Sequence, residues 1–188
     1  MSTLYSIGAM NQLGDALEKA GFTPEEVTKL KQFSDLGKIK DVLSGIATIA
    51  YPDHLIDTDA TPFIPDGWSV EKHSGHGLWK WNPNSIQLFL SKEQERNYEV
   101  GHDLQQIIES QQGKIILNAN VLDYLLAHPE LIPESWKGKA VFFWGTIYRG
   151  SDGRLCVRYL GWRGAGWDWR CGWLGNNFRA DSPAALAS

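Results

Sequence analysis

The chain has 188 residues, of which 43% are hydrophobic, and a formal net charge of −4. This length accommodates one domain, or one domain with a small satellite, around a hydrophobic core. The two cysteines, Cys156 and Cys171, are too few for a disulfide framework and are interpreted as free thiols. The sequence shows no signal peptide and no apolar run near the length of about 20 residues that a membrane helix needs. We therefore expect a soluble, cytoplasmic protein that does not enter a membrane.

Charge is distributed unevenly along the chain. Residues 137–188 carry eight basic and three acidic side chains, a net charge of +5, whereas residues 1–136 have a net charge of −9. Six of the seven arginines lie in the basic segment, at Arg149, Arg154, Arg158, Arg163, Arg170 and Arg179. Such an asymmetry between two parts of a chain points to a partner of opposite charge for the basic part.

Residues 1–50 are predicted to form a small helical unit. The motif Thr23-Pro24-Glu25-Glu26 is a capping box with proline at the first helical position, and apolar residues recur at helical spacing on both sides of it. The unit has no arginine, which argues against a DNA-binding helix-turn-helix. The next segment, 51–67, is predicted to be a linker because many of its residues break regular structure or prefer water. These residues are Pro52, Pro62, Pro65, Gly67, Asp53, Asp57, Asp59 and Asp66.

Residues 68–188 are predicted to form one α+β domain. Its first part is expected to be a hairpin in which Trp68–Lys72 and Leu78–Trp81 flank a glycine-rich turn, followed by a strand at Ile86–Leu90. Two helices are expected next, because a second capping box and a further helix start follow in the sequence. They run from Ser91 to about Gln112, with Gln94 completing the box, and from Asn118 or Asn120 to His128.

The last part of this domain is predicted to be an antiparallel sheet of at least three strands packed on these helices. Turns that contain glycine join the strands as hairpins. The strands are about Val141–Arg149, Arg154–Trp162 and Trp167–Leu174. The segment is unusually rich in tryptophan and arginine, so its two faces decide where a binding surface lies.

Strand alternation sorts these side chains onto two faces. One face is apolar and carries Phe142, Trp144, Thr146, Tyr148, Leu155, Val157 and Tyr159. The other face carries Arg149, Arg154, Cys156, Arg158, Leu160 and Trp162. The third strand fits in two ways, and we prefer the one that keeps Arg170 from being buried among aromatic rings without a partner. In that arrangement Trp167, Trp169, Cys171 and Trp173 join the apolar core, whereas Asp168 and Arg170 join the arginine face.

No motif assigns a catalytic residue, a cofactor or a metal. His73 and His76 have a spacing that metal ligands use, but no cysteine or acidic partner recurs near them to complete a site. The loop Gly164-Ala165-Gly166 lies between two strands and lacks the helix start that a phosphate-binding loop needs. No nucleophile elbow, zinc-protease helix or kinase signature is present.

Three stretches resemble a widespread group of small uncharacterised bacterial proteins. They are Leu117–Leu126, Phe143–Arg149 with the Trp-rich strand that follows, and Pro183-Ala184-Ala185. The resemblance covers roughly residues 10–188 of the sequence and implies a bacterial or phage-type origin. It implies no activity, cofactor or catalytic residue.

The sequence favours a non-enzymatic binding protein, such as an inhibitor or adaptor, that engages an acidic macromolecule through the arginine face. The partner would be an acidic protein surface or a single-stranded nucleic acid. The candidate binding residues are Arg149, Arg154, Arg158, Trp162, Arg163, Asp168 and Arg170. Two alternatives stay open: a carbohydrate-binding module that uses tryptophan platforms, and an enzyme whose unrecognised site combines Arg158, Asp168, Arg170 and a histidine. Burial of Arg158 and Arg170 in ion pairs would contradict the binding-face hypothesis.

Overall fold

The computed structural model describes residues 5–33, 35–48 and 54–188, and the chain divides into two compact units, Met1–Tyr51 and Pro52–Ser188. The parts of the predicted helical unit and linker at 1–4, 34 and 49–53 lie outside the described residues.

The smaller unit is helical, as the sequence predicts. It contains α1 (Ile7–Lys19), α2 (Pro24–Gln32) and α3 (Leu36–Leu43), and none of these helices contributes a buried residue. The predicted capping box is confirmed, because the Thr23 side chain accepts a hydrogen bond from the Glu26 N–H and the Glu26 carboxylate accepts one from the Thr23 N–H. Each bond satisfies a backbone donor that the helix start leaves free.

The larger unit is an α+β fold, which confirms the predicted class. Its strands are β1 (Leu55–Asp57), β2 (Ser69–His73), β3 (Leu78–Lys80), β4 (Ile86–Phe89), β5 (Glu99–Val100), β6 (Ile115–Ile116), β7 (Ala140–Arg149), β8 (Leu155–Arg163), β9 (Gly166–Trp173), β10 (Asn177–Phe178) and β11 (Ala184–Ala187). Its helices are α4 (Lys92–Arg96), α5 (Gly101–Glu109) and α6 (Ala119–Ala127). The three predicted C-terminal strands correspond to β7, β8 and β9.

The main sheet is mixed, with the order β4-β11-β7-β8-β9. β11 pairs in parallel with β7 and antiparallel with β4, and β2 and β6 attach to β7 and β11. Helix α5 places Leu104 and Ile108 in the cluster on one side of the sheet, and α6 places Leu122 and Leu125 in the cluster on the other side. The central strand β7 is therefore covered on both faces.

The predicted linker is wrong in its described part, 54–67, which belongs to the larger unit. Within it, β1 pairs with β3, and Ile56 is buried. The predicted hairpin between β2 and β3 is also wrong, because β2 pairs with β7. The Ser74 N–H extends that pairing by donating to the Gly145 carbonyl at 2.8 Å. Strands β2 and β3 therefore each pair with a strand that is not their neighbour in the sequence. Local turn signals do not reveal such pairing.

The single helix predicted from Ser91 to about Gln112 is wrong, because it is divided into α4 and α5. The capping box at Ser91 and Gln94 is confirmed, but α4 ends at Arg96, and the next residue, Asn97, has φ of −156° and ψ of −87°, which are not helical. The chain then forms β5, which pairs with β10. A Cβ on Gly101 at the start of α5 would lie 2.5 Å from the Phe178 ring, so this close approach requires glycine. Helix α6 begins after Asn118, one of the two predicted starts, and the Asn118 side chain caps it by accepting from the Asn120 N–H.

The predicted sorting of side chains onto the two faces is wrong in two places. Between Phe142 and Ile147, β7 has four residues opposite one residue of β8. The odd excess of three residues reverses the alternation of every later side chain in β7. In the β8–β9 ladder, Leu160 pairs with Trp169 and Arg158 pairs with Cys171. The tryptophans of β9 therefore share a face with Arg158, and Arg170 lies on the opposite face.

Candidate functional site

Arg158 does not lie on a surface, although it was a predicted binding residue. Its side chain is 1% exposed, and its guanidinium donates to both carboxylate oxygens of Asp123 in α6, at 2.6 and 3.0 Å. The rings of Trp169 and Phe63 lie 4.2 and 5.4 Å from its Cζ. The continuous arginine face is therefore wrong, because its central member is a buried ion-paired residue that holds α6 to the sheet.

The loop that carries Phe63 is fixed above this ion pair. The Tyr148 hydroxyl donates to the Phe63 carbonyl at 2.9 Å. Burial raises the pKa of Tyr148 above the usual value of a phenol, so the hydroxyl keeps the proton that it donates. Arg158, Asp123, Tyr148 and Phe63 thus form one connected polar and aromatic cluster, in which Arg158 and Tyr148 are buried and Phe63 is exposed.

Arg149 and Arg154 lie at the hairpin between β7 and β8, and each is held by an acidic neighbour. Arg149 donates to Glu71 at 2.8 and 3.1 Å. Arg154 donates to Asp152 at 2.7 Å and lies 4.3 Å from the centroid of the Trp173 ring. Hydrogen bonds from Arg154 lower the pKa of Asp152. Both arginines are partly exposed, but their charges are already paired.

The four remaining predicted residues, Trp162, Arg163, Asp168 and Arg170, line one cleft at the far end of the β8–β9 hairpin. The cleft has a volume of about 250 Å³ and is also lined by Lys139, Tyr159 and Asp181. The ladder explains the grouping of the three charged residues, because Tyr159 pairs with Arg170, Gly161 with Asp168, and Arg163 with Gly166, whereas Trp162 pairs with Trp167 on the other face. Paired residues share a face, and Gly161 leaves the floor of the cleft without a side chain.

Three cations of the cleft form no ion pair in the described part of the larger unit. Within residues 54–188, Lys139, Arg163 and Arg170 have no carboxylate within 4.0 Å. The two carboxylates of the cleft are engaged with their chain neighbours instead: Asp168 accepts from the Trp169 N–H at 2.7 Å, and Asp181 accepts from the Ser182 hydroxyl at 3.1 Å. The cleft therefore offers positive charge to an anion from outside.

Lys139, Tyr159 and Asp181 are cleft residues that the sequence-based site did not include. The two lysines before β7 contribute to the charge of +5 between 137 and 188, which was the available signal. Lys139 directly precedes Ala140, whose N–H donates to the Asp181 carbonyl at 2.7 Å. That contact joins segments more than forty residues apart, so sequence spacing does not reveal it.

The tryptophans of the sheet are packed against other side chains. Trp68 contacts the rings of Trp169 and Trp173, with centroids 6.4 and 6.2 Å apart. Trp162 lies edge-on to Trp167 at 5.5 Å, and the Lys137 ammonium lies 3.9 Å from the centre of its ring. Half-buried rings with such neighbours offer little of the flat open surface that a sugar stacks on.

The catalytic group considered from the sequence does not assemble. Arg158 pairs with Cys171 and Arg170 pairs with Tyr159, so the two arginines point to opposite faces of the sheet. His73 contacts the Thr146 hydroxyl at 2.8 Å and the Thr58 carbonyl at 3.0 Å through its two ring nitrogens. These partners give His73 a structural role between β2, β7 and the loop at Thr58.

Cys156 and Cys171 are free thiols on the same face of β8 and β9. A hydrogen bond from the Cys156 thiol lowers the pKa of Cys171 to about 7, and the same interaction with burial raises the pKa of Cys156. Only one of the two neighbouring sulfurs therefore ionises near neutral pH. Cys171, which is partly exposed, is the more nucleophilic thiol.

Comparisons with known protein families, with curated proteins and with solved structures give no match to this chain. Among the described residues, no helix combines the length and the apolar character that crossing a membrane requires. In the same residues, no group of three or more His, Cys, Asp or Glu side chains is placed to hold a metal ion.

Proposed function

We propose that the protein is a non-enzymatic binding protein that engages an acidic macromolecular partner at the cleft lined by Lys139, Arg163 and Arg170. The observation that supports the proposal is that none of these three cations forms an ion pair in the described part of the larger unit, although two carboxylates also line the cleft. Arginine side chains next to aromatic rings are the residues that dominate binding energy in protein interfaces. Tyr159, which pairs with Arg170, supplies such a ring in the cleft.

The proposal narrows the surface predicted from the sequence. Arg158 is excluded because it is buried, and Arg149 and Arg154 are secondary because Glu71 and Asp152 pair with them. Trp162, Arg163, Asp168 and Arg170 remain. Inhibitors and adaptors use charge to guide association with their targets, and this cleft has the charge for that role.

The first prediction concerns charge reversal in the cleft. The variant Arg163→Glu/Arg170→Glu should weaken binding to an acidic probe by about tenfold or more, because it replaces attraction by like-charge repulsion. Binding is measured by fluorescence anisotropy at low and high salt, with a labelled polyglutamate peptide and a labelled oligo(dT) as separate probes. Affinity for the probe that binds more tightly should fall as the salt concentration rises.

The matched control is Lys80→Glu/Lys92→Glu, which makes the same change in net charge at exposed positions of β3 and α4. It should bind like the wild-type protein. Equal losses in the two double variants would assign the binding to overall charge, and the proposal would be wrong. It would also be wrong if neither probe bound at low salt.

A further inference from the structure

The β9 strand is at the edge of the main sheet. It pairs with β8 on one side, and no strand within residues 54–188 pairs with its other side. The Leu174 N–H donates to the Leu155 carbonyl, and the continuous antiparallel register then fixes the direction of every backbone group before it. The N–H and C=O groups of Trp167, Trp169, Cys171 and Trp173 point away from β8.

This open edge is only lightly protected. Asp168 accepts from the Trp169 N–H at 2.7 Å, and the Trp173 carbonyl accepts from the Asn176 N–H at 2.9 Å. In the part of the chain that the structure describes, no backbone partner is found for the outward groups of Trp167 and Cys171. The eight residues of β9 contain no proline and no bulge, although these are common ways to prevent an edge from pairing.

The two faces of β9 differ in chemistry. On the cleft face, Asp168 and Arg170 occupy successive positions of β9, and Arg163 of β8 lines the same cleft. On the other face are Trp167 and Trp169, and the ring of Phe63, a residue that is 54% exposed, lies 6.2 Å from the Trp169 ring. Side chains of an added strand alternate between the same two faces.

We infer that β9 accepts an extended segment of a partner protein as an additional strand, and that acidic and apolar residues alternate in this segment. The acidic side chains lie beside Arg170 and Arg163, and the apolar ones lie beside Trp167, Trp169 and Phe63. The inference rests on the proposed function, since it names the partner that the cleft binds. A protein strand is favoured over a nucleic acid because the open edge offers alternating N–H and C=O groups, which a peptide backbone complements.

The Asp168 carboxylate takes the place of one hydrogen-bond acceptor that the added strand would supply to β9. Its carboxylate holds the outward Trp169 N–H, and a carbonyl of the incoming strand would displace it. Asp168 is also a negative charge of the cleft that belongs to the edge strand itself. Its removal should therefore strengthen binding, so Asp168→Ala is expected to raise affinity for the acidic segment several-fold.

The test uses the full chain and a labelled ten-residue peptide in which glutamate and valine alternate. Two further peptides carry backbone N-methyl groups, on three valines in one and on three glutamates in the other. Both keep the charges and side chains, but each removes the N–H donors from one edge of the peptide strand. We expect one methylated peptide to lose at least about tenfold in affinity and the other to bind like the parent peptide.

The methylated peptide that loses affinity shows whether the added strand runs antiparallel or parallel to β9. In an antiparallel arrangement, residues that face the tryptophans also direct their backbone groups at β9, so methylated valines would block binding. In a parallel arrangement, methylated glutamates would do so. Arg170→Glu should weaken the parent peptide in either case, and Lys80→Glu should not.

Equal affinities of the two methylated peptides would overturn strand addition. If Arg170→Glu still weakened binding in that case, the cationic cleft itself would stand. If the methylated peptides bound equally and Arg170→Glu did not weaken binding, the proposal that the cleft is the binding site would be wrong as well. Tighter binding of oligo(dT) than of the parent peptide would overturn the choice of a protein partner.

Discussion

Arg158 and Arg170 lie on adjacent strands, and their different surroundings give them different roles. Arg158 is enclosed by Trp169, Phe63 and Asp123, whereas Arg170 is exposed at the cleft. Burial of a guanidinium is tolerated only when a partner offsets the lost hydration. The two hydrogen bonds to Asp123 supply that partner, even though the Arg158 Nε has none among the described residues.

At this scale we predict that Asp123→Ala lowers the free energy of unfolding by about 3 kcal/mol, because it leaves the buried Arg158 charge unpaired. The measurement is urea denaturation followed by tryptophan fluorescence. Arg170→Ala is the matched control and should change stability by less than about 0.5 kcal/mol, since that side chain is exposed. The double variant Asp123→Leu/Arg158→Met should be more stable than Asp123→Ala. A loss below about 1 kcal/mol in Asp123→Ala would show that the ion pair does not stabilise the fold.

Among the elements, β7 determines how the rest of the sheet is arranged. Its residues between Phe142 and Ile147 leave the β8 ladder and contact the segment before α6, where the Gly145 N–H donates to the Leu117 carbonyl at 2.9 Å. The Thr146 hydroxyl accepts from the Ala119 N–H at 3.0 Å. The irregularity therefore joins the start of α6 to the middle of the sheet.

For this element we predict that Gly145→Ala lowers the free energy of unfolding by about 2 kcal/mol. An added Cβ would lie 2.6 Å from the Ile116 carbonyl oxygen and 2.8 Å from the Asn118 Cβ, so backbone must move. Gly175→Ala is the comparison, because nothing lies within 4 Å of a Cβ at that position. Similar denaturation midpoints for the two variants would contradict the close approach at Gly145.

Strand β7 shows which features of the fold the sequence predicts and which it does not. The capping boxes at Thr23 and Ser91 and the turns around β7, β8 and β9 depend on neighbouring residues, so they are predictable. The side-chain faces are not, because the extra residues of β7 are held by Leu117 and Ala119 from a distant segment. The site is affected in the same way: Arg158 is buried because Asp123 reaches it from α6, whereas the charge pattern that marks Arg163 and Arg170 is local.

The whole molecule divides its buried surface unequally between its two units. The buried hydrophobic residues of the described chain run from Ile56 to Ala187. In the smaller unit, apolar side chains such as Ile7 and Leu43 are more than 80% exposed. Hydrophobic burial is the main source of stability. The larger unit is therefore stabilised by a core made of its own residues.

At this scale we predict that deletion of residues 1–51 leaves the urea midpoint of the larger unit unchanged. The shortened chain should unfold in one cooperative step at the same midpoint as the corresponding transition of the full chain. The expected reason is that, among the residues that the structure describes, its core clusters contain only residues of 54–188. A clearly lower midpoint in the shortened chain would show that the smaller unit contributes to that stability.

The position of β11 has a consequence for biosynthesis. Ala184–Ala187 are all buried and lie between β4 and β7, which precede them in the chain. While the polypeptide is being made, β4 and β7 emerge before the strand that joins them, so each waits with an open edge. A nascent chain in that state is vulnerable to pairing with other strands, until β11, with three alanines and Leu186, completes the sheet.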